Sequence, residues 1–323
     1  MLFPLGHKPS NENQQTRMLK MQIAMIGLGK MGSNMTRRLA AGGATVFGFD
    51  VSAETRTQLA AEHANIRSFD SVASLIAEMP SPRVVWMMLP AGEISETMFG
   101  ELTALMAPGD LIIDGANAMY KDSQRHAKEL NALGFKFMDA GVSGGVWGLA
   151  NGYTIMIGGE KDAFAMAEPF VKILAPASDR GWIHAGPAGS GHYVKMVHNG
   201  IEYGMMQAFA EGFALLEAKK ELNLDLAEVA ETWRHGSVIR SWLLDLTADT
   251  LKNDTKLDDI QPFVPDSGEG RWTVLEAVEL GVPAPVIAAS LFQRYTTQGK
   301  GDYVAKLLSM MRNAFGGHHV AKK

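Results

Sequence analysis

From Met21 to about Gly159, short apolar runs alternate with longer amphipathic stretches. The runs are Ile23–Ile26, Thr45–Phe49, Val84–Leu89, Leu111–Asp114, Lys136–Asp139 and Thr154–Ile157, each of strand length and bounded by turn residues. Met31–Ala41, Glu54–Ala61, Val72–Glu78 and Ser123–Leu133 carry apolar residues at helical intervals instead. Strands alternating with helices predict βαβ units and a mostly parallel sheet, because parallel neighbours need a crossover. After about Gly186 the texture changes. Helical patterns fill Tyr193–Leu222, Asp225–His235, Ile239–Asp249, Thr273–Gly281, Pro285–Gln298 and Asp302–Ala314, and no run there reads as a strand. The Gly/Pro-rich segment Gly181–Gly191 is the expected hinge. The pattern predicts a doubly wound α/β domain over residues 21–188 and an all-α domain over 189–323.

The first twenty residues fit neither element. Pro4, His7, Pro9 and an Asn/Gln stretch interrupt any apolar run of signal-peptide length. They are read as a flexible extension, since Met18 and Met21 also precede the first strand. Nowhere does an apolar run approach the roughly 20 residues needed to span a bilayer. The expected address is therefore cytoplasmic. Composition narrows the chemistry further. The 323 residues include no cysteine, which removes disulfides, thiolate metal sites and cysteine nucleophiles. A formal net charge of −5 argues against a nucleic-acid partner, which usually needs a basic face. It also raises a question for any anionic ligand, whose positive counter-charge would have to be local.

The first motif is Gly27-Leu28-Gly29-Lys30-Met31-Gly32, directly after an apolar run and at the start of a helical pattern. The first glycine permits a tight turn and the second lets backbone approach a pyrophosphate. The third allows close helix–strand packing, while the helix N-terminus offers N–H groups to the anion. About twenty residues on, Asp50 ends the second run, where a carboxylate accepts from the adenosine ribose hydroxyls. The fold is thus expected to be of Rossmann type. A carboxylate repels a 2′-phosphate, and Arg56, six positions later, is a poor phosphate clamp. NAD is expected, with NADP as the alternative.

The second motif is a polar stripe. Lys195, His198, Asn199, Glu202 and Tyr203 stand at i, i+3, i+4, i+7 and i+8, within an arc of roughly 140° on a helix. Val194, Met196, Val197 and Ile201 fill much of the remainder. A solvent-facing stripe is the plain alternative, but such faces are usually richer in repeated Lys and Glu. A buried lysine can serve as a general base and a buried glutamate as an acid. The third motif, Asp139-Ala-Gly-Val-Ser143-Gly144-Gly145-Val-Trp-Gly148, ends a strand. It is either a tight connection or a hydroxyl with exposed N–H groups suited to a carboxylate.

Together these strings resemble the β-hydroxyacid dehydrogenase superfamily and, within it, the decarboxylating 6-phosphogluconate dehydrogenases. The resemblance covers nearly the whole chain from Met21 and is most specific at residues 139–148 and 191–207. The short length and Asp50 resemble the NAD-linked bacterial branch. The resemblance implies Lys195 as the acid–base lysine, Glu202 as a second acid and Asn199 beside them. Ser143, Gly144, Gly145, Asn117, His198 and Asn199 would hold the sugar acid's carboxylate and hydroxyls. Tyr203 and Arg294 would contact its phosphate. Arg312 and His318 match a C-terminal pair supplied by a neighbouring subunit, so at least a homodimer with a shared active site is implied. Gly27, Leu28, Gly29, Lys30, Met31, Gly32, Asp50, Leu89, Pro90, Ala91 and Asn117 would line the cofactor.

One departure stands out. Where the family carries a phosphate-binding Lys and Thr, this chain has Ser267 and Glu269, and a carboxylate beside a phosphate is unfavourable. The phosphate grip is then expected to use Ser267 or Arg271. The implied reaction converts 6-phospho-D-gluconate and NAD+ to D-ribulose 5-phosphate, CO2 and NADH without a metal; no His/Asp/Glu cluster suggests one. The rivals are a 3-hydroxyacid dehydrogenase acting on a non-phosphorylated substrate, and a non-catalytic NAD-binding regulator. The intact polar stripe speaks against the regulator.

Overall fold

The computed structural model describes residues 21–322, so the expected extension over residues 1–20 lies outside the described residues. Contacts divide the chain into two compact units, one ending at Lys195 and one beginning at Met196.

The first unit is built on an eight-stranded sheet. Its strands are β1 (Gln22–Ile26), β2 (Thr45–Phe49), β3 (Ile66–Phe69), β4 (Val84–Met87), β5 (Leu111–Asp114), β6 (Lys136–Ser143), β7 (Thr154–Gly159) and β8 (Trp182–Gly186). The spatial order is β3-β2-β1-β4-β5-β6-β7-β8. Pairing is parallel from β3 through β6, antiparallel between β6 and β7, and parallel again between β7 and β8. The helices are α1 (Lys30–Ala41), α2 (Ala53–Glu62), α3 (Val72–Glu78), α4 (Glu93–Leu105), α5 (Tyr120–Ala132), the short α6 (Gly148–Asn151) and α7 (Lys161–Leu174). The strand runs are continuous rather than alternating because both sheet faces are covered. In β1, Ile23 and Met25 belong to one buried cluster and Ala24 and Ile26 to another. Burying each such side chain stabilises the unit by about 1.5–3 kcal/mol for the larger ones.

The hydrophobic pattern omits β3 and β8, and the structure shows why. Only Ile66 of β3 is buried, and no residue of β8 is. Edge strands covered on one side need no apolar run. The segment expected as a hinge, Gly181–Gly191, therefore contains β8 and the first two residues of a long helix.

That helix, α8 (Ser190–Ala218), crosses the division between units. The second unit continues with α9 (Leu226–Arg234), α10 (Trp242–Asn253), α11 (Glu269–Leu280), α12 (Pro285–Thr297) and α13 (Asp302–Gly316). Asp225 caps α9 through the N–H groups of Ala227 and Glu228, and Ser241 caps α10 through Leu244 N–H, each cap contributing about 1 kcal/mol. Gly281 ends α11 in a left-handed conformation, φ 65°, which favours glycine. Phe213, Ala230, Leu244, Ala248 and Leu251 form the buried cluster of this unit. No residue of α13 is buried. Among the described residues no helix is long and apolar enough to cross a membrane, and no group of three or more His, Cys, Asp or Glu is placed to hold a metal ion.

Candidate active site

In the first unit, the motif residues converge on one edge of the sheet. Gly27–Gly32 follow β1, Asp50 follows β2, Leu89–Ala91 follow β4, Asn117 follows β5, and Ser143 ends β6. These are the carboxyl ends of parallel strands, and β1 and β4 are where the winding reverses, the usual ligand crevice of such sheets. Gly27 has φ 91° and its N–H donates to the Phe49 carbonyl at 2.8 Å. A Cβ at Gly32 would stand 1.9 Å from the Gly27 carbonyl oxygen, so only glycine lets α1 start this close to the loop. The space beside Gly29 is open to 4 Å, and the first N–H groups of α1 lack intrahelical acceptors. A pyrophosphate fits both observations.

The Asp50 carboxylate joins this loop directly. One oxygen accepts from Leu28 N–H at 2.7 Å and the other from Ser52 N–H at 2.9 Å. Arg56 is nearer than its sequence spacing suggests: its guanidinium donates to the Asp50 carbonyl at 2.7 Å. Lys30, Pro90, Ala91 and Asn117 are exposed, whereas Met31 and Leu89 are half-buried.

The serine–glycine turn is shaped by Gly144, φ 134°, and Gly145, φ 50°. Tyr153 forms its floor: a Cβ on Gly148 would stand 2.0 Å from the Tyr153 ring. Burial raises the Tyr153 phenol above its ordinary pKa, with Arg38 and Arg37 pulling partway back. Arg38 of α1 donates to the carbonyls of Ile173, Leu174 and Ala175 at 3.0, 3.0 and 2.6 Å. The helix that opens the nucleotide loop is thereby tied to the chain segment after the turn. Tyr153 was not singled out by the sequence, which offers only its place directly after Gly152 as a signal. Lys195 is 8 % exposed and belongs to this unit.

In the second unit, α8 carries the rest of the stripe. Asn199 is 9 % exposed, and its side-chain oxygen lies 3.0 Å from His198 Nδ1. Glu202 lies 3.8 Å from the same nitrogen. Tyr203, Ser267 and Arg294 come together: the Tyr203 and Ser267 hydroxyls are 3.0 Å apart, and the Arg294 guanidinium sits 3.4 Å from the Tyr203 ring centroid. Arg294 also donates to the Pro265 carbonyl at 2.9 Å. A Cβ on Gly270 would stand 2.3 Å from the Tyr203 ring, so the loop's second glycine sets this packing.

Arg271 does not stand free for a phosphate as the sequence reading expected. It pairs with Asp266 at 3.1 Å, whose carboxylate also accepts from Gly268 N–H at 3.0 Å. Asp266 attracts it because the same loop buries that carboxylate. Burial first and the Asp266 charge second raise the Tyr295 phenol. Glu269 is 4 % exposed, and its Oε2 is buried without a hydrogen-bond partner. Arg312 and His318 lie on and just beyond exposed α13, where Asn313 donates to the His318 carbonyl at 2.8 Å.

The sheet order, the glycine loop and the carboxylate after β2 define a nicotinamide-dinucleotide-binding protein of the Rossmann class. A family model described as the NAD binding domain of 6-phosphogluconate dehydrogenase matches residues 22–183, and the 6-phosphogluconate dehydrogenase C-terminal domain matches residues 191–314. The chain belongs to the 6-phosphogluconate dehydrogenase family. A Bacillus subtilis (strain 168) protein, YqeC, named as a 6-phosphogluconate dehydrogenase, is 40 % identical over 303 residues, 94 % of this chain and 100 % of the relative. The NAD(+)-dependent, decarboxylating 6-phosphogluconate dehydrogenase of Haloferax volcanii is 39 % identical over 304 residues, 94 % of this chain and 99 % of that one. The solved 6-phosphogluconate dehydrogenase of Plasmodium falciparum is 29 % identical with a TM-score of 0.79, covering 94 % of this chain and 66 % of that one.

Proposed function

We propose that the chain oxidises and decarboxylates 6-phospho-D-gluconate to D-ribulose 5-phosphate and CO2, reducing NAD+ to NADH. The observation that carries this reading is the mixed polar stripe of α8, with Lys195 and Asn199 buried at 8 % and 9 % exposure. In this reading the Lys195 amine is the general base. Bound NAD+ supplies the hydride acceptor. Lys195 takes the proton of the C3 hydroxyl as C3 gives up its hydride to that acceptor, leaving a 3-keto acid whose carbonyl accepts the electrons released with CO2. Lys195 then returns its proton to that oxygen, and Glu202 protonates C1 of the enediol. Asn199 and His198 orient the hydroxyls, Asn117 and Ser143–Gly145 hold the carboxylate, and Tyr203, Ser267 and Arg294 hold the phosphate. A non-phosphorylated rival substrate is favoured by one observation, the burial of Glu269 where a phosphate-binding threonine is expected. Purified protein is assayed with 6-phosphogluconate and with a non-phosphorylated 3-hydroxy acid, following reduced cofactor and CO2. No reduction with the phosphorylated acid rejects the main reading.

NAD+ is the preferred cofactor in this reading, because a carboxylate stands at the end of β2, where this class of site takes the ribose, and Arg56 donates to the Asp50 carbonyl. kcat/KM is expected to be at least about tenfold higher with NAD+ than with NADP+, some 1.4 kcal/mol. Asp50→Ser narrows that gap; an unchanged ratio in the variant removes Asp50 from the discrimination.

The functional particle is at least a homodimer with a shared active site. Val304, Leu307, Leu308, Met311 and Phe315 repeat on one face of α13 with exposures of 58, 45, 51, 46 and 78 %, a row wide enough to be an interface. A second copy covering it would bring its Arg312 and His318 to the phosphate. The double substitution Leu307→Glu/Leu308→Glu is expected to yield monomers by analytical ultracentrifugation, with activity reduced at least tenfold and NAD+ binding kept. A fully active wild-type monomer contradicts this.

A further inference from the structure

Strand β6 presents two faces. Met138, Ala140 and Val142 belong to a buried apolar cluster, so by strand alternation Asp139, Gly141 and Ser143 share the other. Asp139 is fully buried, and its two carboxylate oxygens accept from Gly189 N–H at 2.6 Å and His192 N–H at 2.7 Å. Charge-assisted bonds at a helix N-terminus are among the stronger ones. The approach of strand and helix is extreme. A Cβ on Gly141 would stand 2.3 Å from Lys195 Cβ and 2.9 Å from the Gly191 carbonyl oxygen. A Cβ on Gly191 would stand 2.6 Å from the Asp139 carbonyl oxygen, and one on Gly158 of β7 2.6 Å from Ser190 Oγ. The buried pair Ser123 Oγ and His192 Nδ1, 2.7 Å apart, braces the same turn. Three glycines and one carboxylate thus seat the start of α8 on β6 with almost no side-chain padding.

We infer that this face of β6 fixes where Lys195 stands relative to Ser143: Asp139 anchors the start of the helix, and Gly141 sets the depth at which the lysine leaves it. Both are positioning residues, and the inference rests on the role proposed above for Lys195. Ordinary carbon–carbon contact is about 3.5–4 Å, so a methyl at residue 141 must push the lysine away by more than about 1 Å. Misplacement on that scale costs on the order of 100-fold in rate. Gly141 does not have a left-handed φ, so alanine there meets only the lysine and its neighbours, not backbone strain.

The test compares Gly141→Ala and Asp139→Asn with wild type, with Lys195→Met and with a control, Leu59→Ala, which opens the buried core of the same unit at a 1 % exposed position. Gly141→Ala is expected to lose about 100-fold in kcat with KM and the NAD+ Kd changed less than about threefold. Asp139→Asn, which turns an N–H donor toward a backbone N–H, is expected to lose at least tenfold on the same split. Leu59→Ala is expected to lower the melting temperature while the folded fraction keeps its kcat. If wild type turns over substrate and Lys195→Met does not, yet both β6 variants keep kcat within threefold or fall only as far as Leu59→Ala, the inference is overturned. An inactive wild type, or an active Lys195→Met, overturns the functional reading instead. Should Gly141→Ala not fold, the isosteric Asp139→Asn decides on the same two readouts.

Discussion

Lys195→Met is expected to abolish turnover of 6-phosphogluconate while leaving NAD+ affinity within about threefold of wild type. The side chain is 8 % exposed and methionine nearly matches its length, so the packing volume is kept while the amine is removed. Loss of a general acid–base group costs typically 10²–10⁴-fold, and here one group is asked both to take and to return the C3 oxygen's proton, which places the loss at the upper end. Single-turnover kinetics with saturating NAD+, beside a direct titration of NAD+ binding, separate the two effects. A variant retaining more than about a tenth of wild-type kcat, under about 1.4 kcal/mol of barrier, removes Lys195 from the chemistry.

Gly32→Ala has the second large effect, on the dinucleotide rather than on the substrate. Two terms oppose each other. Alanine in a helix gains about 1 kcal/mol over glycine in propensity. Against that, its Cβ would stand 1.9 Å from the Gly27 carbonyl oxygen and 3.0 Å from the Gly27 carbonyl carbon. Both are backbone atoms, so relief requires α1 to separate from the loop it caps, and the clash wins. NAD+ affinity is expected to fall at least 100-fold by calorimetry, with a lower melting temperature, because the N–H groups that face the pyrophosphate move with the helix. Wild-type affinity in Gly32→Ala would sink the assignment of this loop as the phosphate cradle.

The −5 net charge proves no obstacle to an anionic substrate, but the local positive charge is smaller than the sequence alone suggests. Arg294 lies over the Tyr203 ring with Ser267 alongside, while Arg271 is neutralised by Asp266. In the reading proposed here, a second copy's Arg312 supplies the balance. On that reading assembly is part of substrate binding, and the activity loss expected of the α13 variant comes from the phosphate rather than from folding.

Much of the architecture was legible in the chain. Strands buried on both faces must be apolar throughout, so β1, β2, β4, β5 and most of β6 and β7 announce themselves, and helical periodicity locates α8 to α13 to within a few residues. The tight glycine loop and its contact with Asp50 were legible for the same kind of reason: a turn this close between a strand and a helix admits few residue types. The edge strands β3 and β8 were not, because partial exposure leaves them no hydrophobic signature. Nor was the partner of Arg271, since Asp266, Glu269 and other carboxylates lie within a few residues and only the folded loop selects Asp266. Gly141 reads in the sequence as one more small residue in a turn motif. Only the packed structure shows that its missing side chain is the space into which Lys195 Cβ descends. Local pattern thus determined which elements form and which chemical groups they carry, because periodicity and turn geometry act over a few residues. Tertiary structure alone decided which charges are neutralised and how closely a helix seats on a strand, because those depend on atoms that meet only after the chain has folded.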